Sequence, residues 1–378
     1  MKDINVAFCL RDMQMGGVES VLIRTLDELQ KHKNIHISLI TYVDIHENVY
    51  KKYLEKHPQI KQYSLYPSKW LTTKLPHFFL SRICIHFLRD IYRNFKRFVF
   101  GMRKFKDIDV FIDYHDFGFA NELKHIKSAQ KVAWFHSSLS VFKKRKFEKK
   151  LKYYDNLVVL TDECMHDFQI LYPQFSSKIV RIYNPIDIKD IKNKSKEQNK
   201  VSGKYFCTVA RLTPDKDIET VLRAFDLFWQ KNKKPNVKMV FVGDGNRAKH
   251  YISIANTLLS KKQFIFTGAL SNPFTVMKGA VANVLSSYGE GLPTVLIESV
   301  AVGTLNIASS CKYGPREILL NGRGGLLYEP GDVEQLAKHF DSVYNKKVNI
   351  KNMIQESSKA LNRFDAKQIV KQIISLIS

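Results

Sequence analysis

Cysteine is sparse in this chain, and so is acidic charge. Five cysteines in 378 residues, at Cys9, Cys84, Cys164, Cys207 and Cys311, show no paired spacing. That pattern excludes a cross-linked secreted scaffold or a zinc ribbon and predicts reduced, buried thiols. Long apolar runs are missing too: none approaches the ~20 residues of a membrane span, and Met1-Lys2-Asp3-Ile4 leads into a strand-like segment, not a leader. The first strand-like segment is not followed by Gly-x-Gly-x-x-Gly, which weighs against a dinucleotide-dependent dehydrogenase. Against 60 Lys and Arg stand only 36 Asp and Glu, a net charge of +24. Such an excess asks for an anionic partner: nucleic acid, an acidic membrane surface or a polyphosphate. No base-stacking or groove-reading module accompanies it, so no nucleic acid is expected.

What is present is an alternation of strand and helix signals. Strands are expected at residues 5–10, 35–43, 110–114, 131–134, 156–160 and 178–182, with an amphipathic helix at 19–32. After a polar run at 189–203, read as an exposed linker, the pattern restarts with strands at 205–209, 238–242, 264–267, 281–285 and 305–308. Strands spaced by helices predict parallel, doubly wound sheets. The fold class is therefore α/β with two Rossmann-like domains. The boundaries are 1–183, a linker 184–203, a second domain 204–360, and a terminal helix 361–378 that could pack back on the first domain. Ligands of such sheets bind at the carboxyl ends of strands, where Gly16, Gly17 and His136 fall.

Two segments concentrate the positive charge. Residues 69–106 hold ten Lys/Arg and one acid, and 143–152 hold seven and one. From Leu80 to Phe105 an apolar stripe steps by three and four between the cations. It reads equally as a basic amphipathic helix on anionic lipid or as a core helix with a charged outer face.

The most informative stretch is 286–303, Ser-Ser-Tyr-Gly-Glu-Gly-Leu-Pro-Thr-Val-Leu-Ile-Glu-Ser-Val-Ala-Val-Gly. An apolar strand ends in a Gly/Ser turn carrying Glu290. Pro293 and Thr294 then read as a helix start, with Thr294 offering a capping oxygen, and Glu298 follows in the first turns. Strand, acid-bearing turn and helix N-terminus together make an anion site. The plainer reading is an ordinary strand–turn–helix with a solvated glutamate at each end. Upstream, Arg211 and Lys216 flank a proline turn at another strand end, placed to clamp a diphosphate, though two surface cations near Asp215 and Asp217 would look the same. Gly243-Asp244-Gly245 after residues 238–242 is a tight turn admitting close backbone approach.

Taken together these features resemble the retaining glycosyltransferases of family 4, which have the GT-B fold, two Rossmann-like domains facing across a cleft. The resemblance is carried by Gly16-Gly17-Val18-Glu19, Trp134-Phe135-His136-Ser137-Ser138, Asn184-Pro185-Ile186-Asp187, Arg211 with Lys216, Gly243-Asp244-Gly245, Phe266-Thr267-Gly268 and, most specifically, the Glu-x7-Glu of Glu290 and Glu298. Gly314-Pro315-Arg316-Glu317 and Gly324-Gly325-Leu326-Leu327 continue it.

It implies that Arg211 and Lys216 hold the donor pyrophosphate and that Glu290 contacts the donor sugar. The amides of Leu292, Thr294 and Val295 would approach sugar and phosphates, and Glu298 the ribose. His136 would sit by the sugar, Gly16 and Gly17 by the phosphate, and Gly243, Gly268 and Ala269 around the nucleotide and its base. Asp217 departs from the usual glycine and Thr304 from the usual proline.

The implied activity is metal-independent, retaining transfer from a nucleotide-sugar, a UDP-hexose or UDP-N-acetylhexosamine, to a lipid-linked, lipopolysaccharide or capsule glycan. It needs no cofactor and would take place at the inner face of the cytoplasmic membrane, with an anionic membrane surface as partner. Asp107-Ile108-Asp109 and Asp215-Lys216-Asp217 are read as no metal site, since one precedes a strand and the other overlaps the phosphate loop. A sugar-nucleotide epimerase of the same fold and a basic, non-catalytic nucleic-acid-binding protein are the alternatives.

Overall fold

A strand covered on both faces needs a near-continuous apolar sequence, and β1 (Ile4–Leu10, Ile-Asn-Val-Ala-Phe-Cys-Leu) supplies one; every residue but Asn5 is buried. In the computed structural model, which describes residues 2–13, 16–66, 91–92, 105–233, 235–260 and 263–378, β1 is the third strand of a seven-stranded sheet. Its other strands are β2 (Ile35–Thr41), β3 (Lys61–Ser64), β4 (Val110–Asp113), β5 (Gln130–Trp134), β6 (Asn156–Val159) and β7 (Ile179–Arg181). The order is β3-β2-β1-β4-β5-β6-β7, parallel throughout. Nearly all of segment 69–106 lies outside the described residues.

A second sheet holds β8 (Tyr205–Val209), β9 (Lys238–Val242), β10 (Phe264–Gly268), β11 (Asn283–Leu285), β12 (Asn306–Ser309) and β13 (Leu326–Tyr328). Its order is β10-β9-β8-β11-β12-β13, again parallel. Both sheets therefore reverse direction of growth once, at β1/β4 and at β8/β11. The crevice outside the strand ends at such a reversal is where this architecture seats ligands.

The chain forms two units. One comprises Met1–Val159, Met165–Ile182 and Val370–Ser378; the other comprises Leu160–Cys164 and Tyr183–Ile369. The core of the second unit is aromatic. Helix Ile218–Lys231 buries Ile218, Val221, Leu222, Phe225 and Phe228, the three-and-four spacing of one helix face. Phe206 of β8 packs 4.7 Å from Phe340 of helix Val333–Tyr344, its ring tilted, and Phe225 lies 5.8 Å from the same ring. In the first unit the late part of helix Ala366–Ile377 buries Val370, Ile373 and Ile377, and Gln130 of β5 donates to the carbonyl of Leu376 at 3.1 Å.

Several expectations need adjusting. The polar run 189–203 is not all linker, since Ile188–Lys194 is a helix. Asp187 caps it by accepting from the amide of Asp190 at 2.8 Å, and Ile191 is its buried anchor. β3 and β13 are additional strands, short and at sheet edges, with too few residues to show a pattern. The first helix runs Gly17–Leu29, shorter at its end than expected. Cys9, Cys164, Cys207 and Cys311 are buried. Among the described residues no helix is long and apolar enough to cross a membrane.

Candidate functional site

At the β8/β11 reversal the loops leaving the two strands are bonded to each other. Ser286 Oγ donates to the carbonyl of Lys216 at 2.6 Å, and the amide of Tyr288 donates to the carbonyl of Asp215 at 3.0 Å. These bonds bring Lys216 Nζ to 2.6 Å from Glu290 Oε1, with Asp215 Oδ2 3.6 Å away on the other side. Ser287 Oγ donates to the same Glu290 oxygen at 2.6 Å. The backbone of Glu290 is clamped as well: its amide donates to Lys312 O at 2.9 Å, and its carbonyl accepts from the amide of Tyr313 at 2.8 Å. Ser309 Oγ of β12 holds the carbonyl of Ser287 at 2.7 Å.

The side chains of Lys216 and Glu290 are only 15% and 13% exposed. An ion pair so far out of water is stronger and stiffer than a surface pair. Lys216 and Glu290 are thus brought together 74 residues apart in sequence. Arg211, on the same loop, is exposed and forms no ion pair with a described residue.

The helix after this turn is Thr294–Ala301, with Pro293 at its N-cap and no side chain capping it. Thr294 is thus the first helical residue, not the cap, because proline has taken the flanking position. An N-terminus without a side-chain cap presents amide donors and the positive end of the helix dipole. Leu292 is buried; Thr294, Val295 and Glu298 are half-buried, and Thr294 and Glu298, four apart, share one helix face. Gly314 (φ 100°) is needed here: a Cβ on it would sit 2.6 Å from Pro293 Cδ.

Gly243, Gly245 and Gly268 lie beside the Arg211 loop. The amide of Ala210 donates to Val242 O at 3.0 Å, that of Leu212 to Asp244 O at 2.9 Å, and that of Gly243 to Gly268 O at 2.9 Å. A Cβ on Gly243 (φ 137°) would stand 1.9 Å from the carbonyl oxygen of Ala210. The close backbone approach expected from Gly243-Asp244-Gly245 is thus made by the protein's own Arg211 loop. Gly268 is different: among the described residues nothing lies within 4 Å of the position a Cβ would take. Ala269, next to it, is exposed. Asp217 adopts the left-handed conformation (φ 44°, ψ 51°) and caps helix Ile218–Lys231 through the amide of Thr220. Aspartate tolerates that region better than most side chains, which accounts for its standing where glycine is usual.

The corresponding end of the first unit is built differently. Gly16 precedes helix Gly17–Leu29 as its N-cap, in extended conformation and without a side-chain cap. Among the described residues nothing lies within 4 Å of a Cβ placed on Gly17. His136, two residues past β5, is fixed by Asp116: its amide donates to Asp116 Oδ1 at 2.8 Å, and Ser137 Oγ donates to the other oxygen. Its ring packs 4.7 Å from Tyr114. Nε2 of His136 is buried without a hydrogen-bond partner among the described residues. Burial, followed by the charge of His115, pulls the His136 imidazole down to about 3, so it is neutral at any ordinary pH. Below it, Asp113 ends β4, completely buried and pushed up to about 6 by desolvation, while Tyr154 Oη and the amides of Phe119 and His115 bond to it.

Sequence reasoning missed three parts of these sites: Ser287, Asp116 and Asp113. Asp113 ends a strand and the other two follow one, at or near a reversal, and that position in the sheet is the signal that would have found them. Among the described residues no group of three or more His, Cys, Asp or Glu side chains could hold a metal ion.

Comparison with known proteins bears on the second unit most directly. Residues 189–360 match the family model described as "Glycosyl transferases group 1". The chain is 28% identical over 186 residues to the lipopolysaccharide 1,6-galactosyltransferase of Salmonella typhimurium, covering 46% of this chain and 48% of that protein. It is 27% identical over 210 residues to a Campylobacter jejuni alpha-1,4-N-acetyl-D-galactosaminyltransferase named for a diNAcBac-PP-undecaprenol glycan, covering 56% and 57%. The chain spans less than two thirds of the length of the first curated relatives it matches, at 43%, 22% and 44%.

Whole-chain likeness appears in solved structures. The lipopolysaccharide outer core galactosyltransferase WaaB aligns with TM-score 0.72 at 20% identity, over 99% of both chains. Anabaena HepE in complex with UDP and glucose aligns with TM-score 0.72 at 16% identity, also over 99% of both. With its two parallel α/β units, the chain has the GT-B fold.

Proposed function

We propose that this protein is a retaining glycosyltransferase that moves a sugar from a nucleotide donor, a UDP-hexose or UDP-N-acetylhexosamine, to a lipid-linked, lipopolysaccharide or capsule glycan. The observation that carries this reading is the pairing of Lys216 with Glu290 at 2.6 Å, where two strand ends diverge beside a helix start without a side-chain cap. The family match of residues 189–360 and the lipopolysaccharide and undecaprenyl-linked acceptors in the relatives' names support it.

Breaking an anomeric C–O bond puts positive charge on the sugar ring and negative charge on the departing phosphate. Lys216, the exposed Arg211 and the first amides of helix Thr294–Ala301 stabilise that phosphate. Glu290 aims Lys216 and offers its second oxygen to the sugar hydroxyls. Leu292, Thr294 and Val295 contribute backbone donors, and Glu298 holds the ribose. Gly268 and Ala269 leave room for the base, with Gly243 shaping the loop beside it. In the first unit Gly16 and Gly17 admit phosphate, and neutral His136 offers Nε2 to a sugar hydroxyl.

The acceptor oxygen bonds to the anomeric carbon on the face the phosphate leaves, and the acceptor's proton passes to the leaving phosphate oxygen. Cations and amides do the work of a metal, so neither metal nor cofactor is required. The reaction runs at the cytoplasmic face of an anionic membrane, where lipid-linked acceptors are displayed.

The test is to incubate the protein with a panel of nucleotide sugars, with and without lipid-linked glycans, and measure nucleoside diphosphate release and the product anomer. Release with a retained anomer, undiminished by chelator, is expected. Inversion at the anomeric carbon would end the front-face mechanism. Epimerised nucleotide sugar without transfer would replace the activity.

A further inference from the structure

Within the first unit, the segment 139–152 and the end of the helix packed against it combine charge and apolar surface in a way that transfer chemistry does not use. Of the ten residues 143–152, seven are Lys or Arg and one is acidic. They lie on helices Leu139–Lys144 and Glu148–Leu151, on the turn between them and, for Lys152, at the C-cap of the second. Lys143, Lys144, Arg145, Lys146, Lys149 and Lys152 are exposed, and none forms an ion pair with a described residue.

Aromatic packing holds them rigidly. Phe142 meets Phe168 at 4.8 Å and Tyr172 at 5.2 Å, and Phe147 packs 6.0 Å from Phe142. Those contacts fasten the end of helix Asp162–Leu171 to the basic helices. At that end stand Ile170, 63% exposed, and Leu171, 45% exposed. Unneutralised cations and two bare aliphatic side chains therefore flank a single aromatic joint.

We infer that this face docks on an anionic lipid bilayer, its lysines on headgroups and Ile170 and Leu171 in the headgroup–acyl boundary. Burying apolar side chains while satisfying cations is what an acidic bilayer offers. A nucleic acid would match the charge, but its bases call for exposed aromatic platforms. Here Phe142, Phe147 and Phe168 are buried, and the large hydrophobics exposed on this face are aliphatic. The inference deepens the reading under which the acceptor is carried on lipid, and it rests on that reading only for its purpose.

The experiment uses the full chain and vesicles of phosphatidylcholine, with or without about a third phosphatidylglycerol, in sedimentation at low and high salt. Binding to the anionic vesicles alone is expected, and it should fall as salt rises. Each cation near such a surface contributes about fivefold, so K143E/K144E should weaken binding by at least about tenfold. The charge-neutral pair I170S/L171S should also weaken it, by about tenfold. Nucleotide-sugar turnover without vesicles should be unchanged in both variants, which separates failed docking from failed transfer. No binding of the wild type to anionic vesicles overturns the inference. So does unchanged binding of I170S/L171S, which would mark a general polyanion surface.

Discussion

The two units meet the same topological problem and solve it with opposite electrostatics. At the β8/β11 reversal the second unit sets a lysine and a glutamate against each other, sparsely solvated and backed by two serines. Beside the first unit's own reversal, β5 leads to an imidazole that burial keeps neutral and whose Nε2 has no described partner. Fixed charge suits a ligand that gains charge as it departs; a neutral, unsatisfied nitrogen suits a hydroxyl, which exchanges hydrogen bonds without carrying charge. The same α/β framework thus presents two electrostatic surroundings, depending on what stands in the first turn past a strand.

That contrast can be attacked at its charged end first. Lys216→Ala should lower nucleoside diphosphate release by ~100- to 1000-fold, the usual loss for a group that stabilises developing negative charge. A loss below tenfold would mean that the ion pair is only structural. Next comes Gly243→Ala, where a Cβ meets the carbonyl of Ala210 and a positive φ adds strain. It should destabilise by about 2–4 kcal/mol in chemical denaturation. The same substitution at Gly17, with no described residue within 4 Å of the added Cβ, should stabilise by about 0.4–1 kcal/mol, so the two glycines should move unfolding midpoints in opposite directions.

The neutral end is tested by pH. His136 has an ordinary value of 6.5 and a native one of about 3, so between those limits the unfolded chain binds the extra proton and stability falls as pH falls. The slope from this group is at most about 1.4 kcal/mol per pH unit, and nothing above 6.5. Asp113, raised from 3.8 to about 6, acts the other way: its contribution is present at low pH and is lost as pH rises through that window. Urea denaturation of wild type and His136→Asn at several pH values isolates the histidine; parallel curves below pH 6.5 would refute a buried neutral imidazole. The smallest effect is expected for Asp217→Gly. Losing the side-chain cap costs a few tenths of a kcal/mol, while relief of the left-handed strain returns a similar amount, so thermal unfolding should shift by no more than about 0.5 kcal/mol.

Much of the second unit's site is legible in sequence because it is local. The apolar run before Ser286, the acid at Glu290 and the proline before Thr294 all sit within one strand–turn–helix. The partnership of Lys216 with Glu290 is not legible in that way. It depends on β8 lying beside β11, a long-range pairing that no local pattern encodes. The helix Ile188–Lys194 was hidden by its own composition, since its three lysines outnumber its single buried anchor, Ile191. Asp187 was quoted as part of a motif, yet its work as a helix cap depends on the turn it adopts. In the first unit, Asp116 escaped notice because its role is exercised on a backbone amide twenty residues away.

The buried cysteines have a practical consequence. Cys9 lies in the middle of the first sheet and Cys207 in the middle of the second, each with no exposed surface, and burial raises both thiols well above their ordinary values. A thiol reagent can reach either sulfur only when its own sheet opens. Labelling the native protein and locating the tag by mass spectrometry would therefore time the breathing of each unit separately, with no mutation. Whether a nucleotide sugar slows the clock at Cys207 while leaving Cys9 untouched becomes a question the unaltered chain can answer.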